Sequence, residues 1–413
     1  MILLPYGHET VELRLPASKT YDWILYPGAA ADAPDALTIL ENALARPYGT
    51  PLLAELAQGR KSAVILISDS TRLSPSYLFL PLLIRELVRG GLRPEQLKIV
   101  VALGMHRKQT EEELRRLVGD EVYSSVRVYN HSALEEDCIH IGSTSRGTPV
   151  IINRLVVEAD LRIATGNIEP HSLVGMSGGV KALVPGVAAR ETIERNHSLS
   201  QRFQAVPGDP DNPVHRDLEE AQELLGIDFL YNVIVNHRRE PLAAVAGHVK
   251  EAHAAGVEQA RRLFLVEARG DHDIVVVSPG GYPKDMQLYQ TCKAMINAAA
   301  FTKPGGAIVA ASRCQELFGN GTLQYWIETI QDRDVMAAKL KERFVLGAHK
   351  TLHIQELLRD YRVYLYSDMP AASVELTGFI PVTDLDRQLE HLFVQNPSAK
   401  IGVMPYGGLT YPK

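Results

Sequence analysis

The segment GMSGGVKALVPG, residues 175–186, sets Gly175, Ser177, Gly178 and Gly179 ahead of Lys181. Glycines let backbone N–H groups approach a phosphate closely, although the GxxxxGK(S/T) pattern of a P-loop is absent. Val180, Ala182 and Leu183 flank the lysine. Apolar surroundings favour a neutral amine, the form a covalently bonding lysine requires. Taken alone, the segment also reads as a tight turn with an exposed lysine. His171 stands ten residues before Lys181, His197 sixteen after, and His106 lies in a separate segment. Imidazole ligates transition metals and acts as a general base near neutral pH. One such histidine reads most simply as a structural hydrogen-bonder, but three around one lysine call for a chemical reason.

The elements that must position these groups follow an α/β pattern. SAVILIS (62–68), LKIVVAL (97–103), VRVYNH (126–131) and ADLRIATG (159–166) read as strands. A helix over 74–91 has a serine start and a glycine stop, and another begins at Thr110 with Glu113 completing a capping box. An Ala-rich helix spans 251–268. A second α/β pattern follows: DIVVVSPGG (273–281), a helix over 286–300, GAIVAAS (306–312), VYLYS (363–367) and KIGVMP (400–405). The alternation predicts two α/β domains, 1–267 and 268–413, with largely parallel sheets covered by helices. The last strand is a candidate to return to the first domain. Ligands of open α/β sheets sit beyond the carboxyl ends of strands. That rule selects SDSTRLSP, GMHRKQT, the long loop after 159–166, and SPGGYPKD.

Composition narrows the function. The 413 residues are 46% apolar and 22% charged with net charge −6, a globular profile that disfavours nucleic acid and anionic membrane as partners. Cys138, Cys292 and Cys314 form no CxxC, which disfavours a thiolate zinc site or a disulfide framework and suits a reducing compartment. The N-terminus has no basic n-region, and His8, Glu9 and Glu12 interrupt its apolar residues, so it does not read as a signal peptide. No segment approaches the roughly 18 apolar residues of a membrane span. A cytoplasmic enzyme is expected.

SDSTR (68–72), ALGMHR (102–107), GNIEPH (166–171), GGVKALVPG (178–186), ERNH (194–197), NPVH (212–215) and GGYPKDMQLYQTCK (280–293) together resemble the nickel-dependent lactate racemase family, in order and over nearly the whole chain. The resemblance implies a nickel-pincer nucleotide, a pyridinium mononucleotide whose two sulfur-bearing arms and ring carbon hold Ni(II), attached covalently at Lys181 and installed by dedicated maturation enzymes. It implies His197 as the protein's nickel ligand and His106 and His171 as the paired acid/base residues. Arg72 would grip the substrate carboxylate, and Tyr289, Gln290 and Lys293 would hold the substrate from the second domain. Asp69, Thr71 and Ser177–Gly179 would help bind the nucleotide. The active site would lie in a cleft between the domains.

The implied reaction is inversion of a small 2-hydroxy acid. Hydride transfer from C2 avoids a second negative charge beside the carboxylate, and the planar 2-keto acid then takes the hydride back on its other face. One general base for each enantiomer suits two histidines on different loops. The substrate stays open. Met176 and Val180 stand where the family has an aromatic and often a basic residue, and Trp23 and Trp326 fall elsewhere. Larger 2-hydroxy acids fit as well as lactate, and Lys284 or Lys350 would suit a dicarboxylate. Two other readings remain at this level: a Schiff-base lysine serving a cofactor such as pyridoxal phosphate, and a protein that stores the nickel nucleotide. His349 and His353, four apart on a helix, read as structural residues before a metal pair.

Overall fold

Ala63–Ser68 is an unbroken aliphatic run up to its last residue, and in the computed structural model it is a central strand whose Val64, Ile65, Leu66 and Ile67 are wholly buried. Such a run fits a strand covered on both faces. The structure describes residues 1–16, 18–31, 35–330 and 332–413. Two units result: residues 30–263, and residues 1–29 with 264–413.

The sheet of residues 30–263 runs Pro241–Gly247, Phe229–Val235, Leu161–Asn167, Ala63–Ser68, Leu97–Ala102, Arg127–Asn130. All neighbours are parallel except the hairpin of Phe229–Val235 with Pro241–Gly247. Helix Ser76–Arg89 buries Phe79, whose ring lies 5.2 Å from that of Tyr231. The Tyr231 hydroxyl donates to the Leu40 carbonyl at 3.0 Å, so a phenol inside the core keeps its hydrogen bond. The Thr110–Glu113 capping box forms as its sequence predicts.

The other unit holds a six-stranded parallel sheet in the order Ile380–Val382, Arg362–Tyr366, Thr302–Ala311, His272–Val277, Ile401–Met404, Tyr21–Trp23. Successive residues of His272–Val277 point to opposite faces, as strand geometry demands. Val275 and Val277 pack with Leu288, Cys292 and Met295, while Ile274 and Val276 pack with Ile2, Leu4, Leu13 and Leu389.

The division of the chain departs from the sequence expectation. It falls at Phe264, and the segment that crosses over is the first one, not the last. Ile401–Met404 stays beside His272–Val277, and Tyr21–Trp23 pairs with its other edge. The apolar side chains of the N-terminal hairpin Ile2–Tyr6 and Glu9–Leu13 supply one layer of that unit's core, which explains the crossing.

Leu4→Ala is therefore expected to destabilise the unit of residues 1–29 and 264–413 by about 2–5 kcal/mol. Both tryptophans, Trp23 and Trp326, lie in this unit, so urea unfolding followed by their fluorescence reads it selectively. An unchanged midpoint would show that the hairpin is not part of its core.

Candidate active site

In the sheet of residues 30–263 the chain steps outward from Ala63–Ser68 to Leu97–Ala102 and Arg127–Asn130, then returns to the opposite side at Leu161–Asn167. The strand order therefore reverses between Ala63–Ser68 and Leu161–Asn167, and ligands gather beyond the carboxyl ends at such a switch point. The loops leaving these two strands carry Asp69, Thr71 and Arg72, and Glu169, His171, Ser177 and Lys181. His106 follows the neighbouring strand.

Asp69 is buried, and its Oδ2 lies 2.9 Å from His106 Nδ1. Its Oδ1 accepts from the Thr71 backbone at 2.7 Å and from the Thr71 hydroxyl. Burial alone would raise the Asp69 pKa, but His106, Arg72 and Thr71 outweigh it and hold the carboxyl well below its usual range. An ionised Asp69 accepts the Nδ1 proton of His106 and leaves Nε2 as the basic nitrogen. Asp69 and Thr71 thus orient His106 and close the turn with these groups. Arg72 is partly buried, and its guanidinium makes no hydrogen bond or ion pair with a described residue.

Lys181 sits in a single 3-10 turn, Gly179–Ala182. Burial first, and the Arg72 charge second, push its amine down to about 7 against a weaker pull from Glu169. No described residue hydrogen-bonds this amine. His197 lies in the last turn of helix Arg190–Ser198. Burial and the nearby Lys181 push it down to about 3, so the ring is neutral. The opposing Ile193 carbonyl falls short of hydrogen-bond geometry, and the buried His197 Nδ1 has no protein partner.

The glycines before Lys181 serve packing. Gly178 and Gly179 have φ of 76° and 55°, and a Cβ would come within 2.6 Å of Asn232 Oδ1 at the first and 2.8 Å of the His253 ring at the second. Gly179 N–H donates to Asn232 Oδ1 at 2.7 Å, Ser177 N–H to the Glu169 carbonyl, and His253 Nε2 donates to the Ser177 carbonyl at 2.9 Å. The Ser177 hydroxyl bridges Asn167 and Glu169. Among the described residues only Gly178 N–H of the three lacks a protein acceptor.

Sequence reasoning passed over Glu169, Asn232, His253 and His215. His215 is buried, stacks on His253 with centroids 5.6 Å apart, and is pushed down to about 3 by burial, His253 and Lys181. Its NPVH motif was visible, and Asn212 indeed caps the helix that presents it. Asn232 and His253 lie far along the chain, with no local signal. His171 ends a two-residue strand, and its Nδ1 accepts from Leu173 N–H at 3.1 Å. Tyr289, Gln290 and Lys293 lie on helix Leu288–Ala299 of the other unit, where Gln290 is buried. His353 Nδ1 lies 3.3 Å from Lys350 Nζ, in keeping with a structural role for that residue.

A two-unit α/β enzyme with a partly buried lysine of lowered pKa near an imidazole whose Nδ1 has no partner among the described residues is the class these features define. The family model for the lactate racemase N-terminal domain matches residues 6–206, and that for the C-terminal domain matches residues 267–408. The lactate racemase of Thermoanaerobacterium thermosaccharolyticum is 32% identical over 98% of this chain and 97% of its own length. That of Lactiplantibacillus plantarum is 33% identical over 80% of this chain and 78% of its own. The structure of the T. thermosaccharolyticum lactate racemase apoprotein superposes with a TM-score of 0.88 at 31% identity, covering 100% of this chain and 99% of that one. A Thermotoga maritima protein shares the fold at TM-score 0.71 and 19% identity, covering 94% of this chain and 100% of that one. The chain belongs to the lactate racemase family and is an isomerase, a racemase.

With a pKa near 7, the neutral fraction of Lys181 grows as pH rises through neutrality, where an ordinary lysine stays almost fully protonated. A limiting amine-selective acylating reagent should modify Lys181 with a half-maximal rate near pH 7, read by peptide mapping. A midpoint near the ordinary value of about 10 would contradict the site's electrostatics.

Proposed function

We propose that the chain inverts 2-hydroxy acids with a nickel-pincer nucleotide bound covalently at Lys181. The observation that carries this reading is the Lys181 amine, which no described residue hydrogen-bonds and whose pKa is lowered, near the buried Nδ1 of His197, which has no partner among the described residues. The donor set fits the group. Among the described residues no three His, Cys, Asp or Glu side chains converge to hold a bare metal ion, so one imidazole suits a metal that arrives with its other donors. A Schiff-base scheme would leave the His197 nitrogen without a purpose.

When bound, the group supplies a reversible hydride acceptor for C2, so that the substrate passes through a planar 2-keto acid. Arg72, with no hydrogen-bond or ion-pair partner among the described residues, binds the substrate carboxylate and fixes the pivot about which the keto group turns. His106, oriented by Asp69, takes the hydroxyl proton at Nε2. His171 serves the other enantiomer. While Leu173 N–H occupies its Nδ1, its Nε2 can only donate, so its turn as a base requires that contact to be given up. Tyr289, Gln290 and Lys293 are assigned to the substrate on the family resemblance alone. Loading calls for dedicated maturation enzymes. The three free, buried cysteines suit the reducing cytoplasm in which we place the protein. No described helix is long and apolar enough to cross a membrane.

C2-deuterated 2-hydroxy acids incubated with the loaded enzyme in ordinary water should invert with the label kept at C2. Loss of the label to solvent would contradict the hydride route, and a loaded protein that inverts none of a broad panel would point to cofactor storage instead. His106→Ala and His171→Ala should each slow inversion by roughly 10²–10⁴-fold while leaving the cofactor attached.

A further inference from the structure

His197 lies in the last turn of helix Arg190–Ser198, where helices ordinarily fray. The preceding residue, Asn196, is wholly buried. Its amide donates to Asp217 Oδ2 at 2.9 Å and to the Val214 carbonyl at 3.1 Å. Asp217 is 1% exposed and lies on helix Pro213–Leu225. Its Oδ1 accepts from the Thr144 hydroxyl at 2.6 Å, and its Oδ2 accepts a second bond, from the Thr148 hydroxyl, at 2.8 Å. Both threonines are buried, in the turn between strands Cys138–Ser143 and Pro149–Asn153. One carboxyl group thus ties together three stretches far apart in the chain.

The three side chains that donate to Asp217 are neutral. Apolar side chains would fill the same interior without desolvating a carboxyl group. What the carboxyl adds is direction, because apolar contact is non-directional and hydrogen bonds are not. Asn196 accepts nothing at its buried Oδ1, so its N–H bonds alone orient it. Asn196 and His197 stand about 100° apart around the helix axis, so fixing the first sets the heading of the second. On the reading of His197 as the nickel ligand, we infer that Asp217, acting through Asn196, is a positioning residue. It sets the direction in which the His197 imidazole meets the nickel nucleotide.

Nickel release from the cofactor-loaded protein to an excess of chelator tests this, with peptide mapping to count the Lys181 adduct and a thermal melt to check folding. Asp217→Leu and Asn196→Leu keep the branching of each side chain and remove its hydrogen bonds. Each should release nickel about 10–100-fold faster than wild type with the Lys181 adduct intact, the usual range for losing a partner that orients a metal ligand. Asp217→Asn keeps one acceptor oxygen for Asn196 and should release nickel more slowly than Asp217→Leu. Asp217→Asn no slower than Asp217→Leu overturns the inference. Wild-type release in the folded leucine variants, with nickel lost from His197→Ala, also overturns it and leaves the nickel-ligand reading intact. Nickel held by His197→Ala as well overturns both.

Discussion

An ammonium group enclosed by protein and pressed by a neighbouring guanidinium gives up its proton readily, and Lys181 is held in that condition by burial and by Arg72. Burial first, and the Lys181 charge second, also keep the His197 ring neutral. A neutral amine and a neutral imidazole are the forms that bond to carbon and to metal. Arg72 also has a part in keeping Asp69 ionised, and Asp69 in turn sets the tautomer of His106. One cation thus biases the lysine toward its neutral form and Asp69 toward its ionised one.

These groups depend on hydrogen bonds from elements distant in the chain. Asn232, from the strand Phe229–Val235, holds Gly179; His253, from the helix Val249–Phe264, holds Ser177; and both are buried. Side chains from regular elements fix the loop before Lys181, so the amine is displayed from a rigid turn. The close contacts at Gly178 and Gly179 exclude any side chain there.

Much of this was legible in the sequence because it is local. Ala63–Ser68, Leu97–Ala102 and Leu161–Asn167 fall within a residue or two of the strands that their β-branched runs suggest, and the loops after them were selected by the carboxyl-end rule. What stayed hidden is long-range. Nothing near Ile2–Leu13 says that its apolar residues complete the core of a unit formed mainly by residues beyond 263. Nothing local to Asp69 says that it orients a histidine; only its distance to His106 shows that. The acceptors that Ser177 and Gly179 N–H find, Glu169 and Asn232, could not be read from the glycines ahead of Lys181.

The account turns on Lys181 and His197 holding one group between them. Protein produced with nickel and the maturation enzymes, then digested and mapped by mass spectrometry with parallel metal analysis, addresses this directly. A single adduct on the Lys181 peptide, with nickel in the wild type and the adduct without nickel in His197→Ala, is the predicted result. An adduct elsewhere, or full nickel retention in the His197 variant, would contradict it.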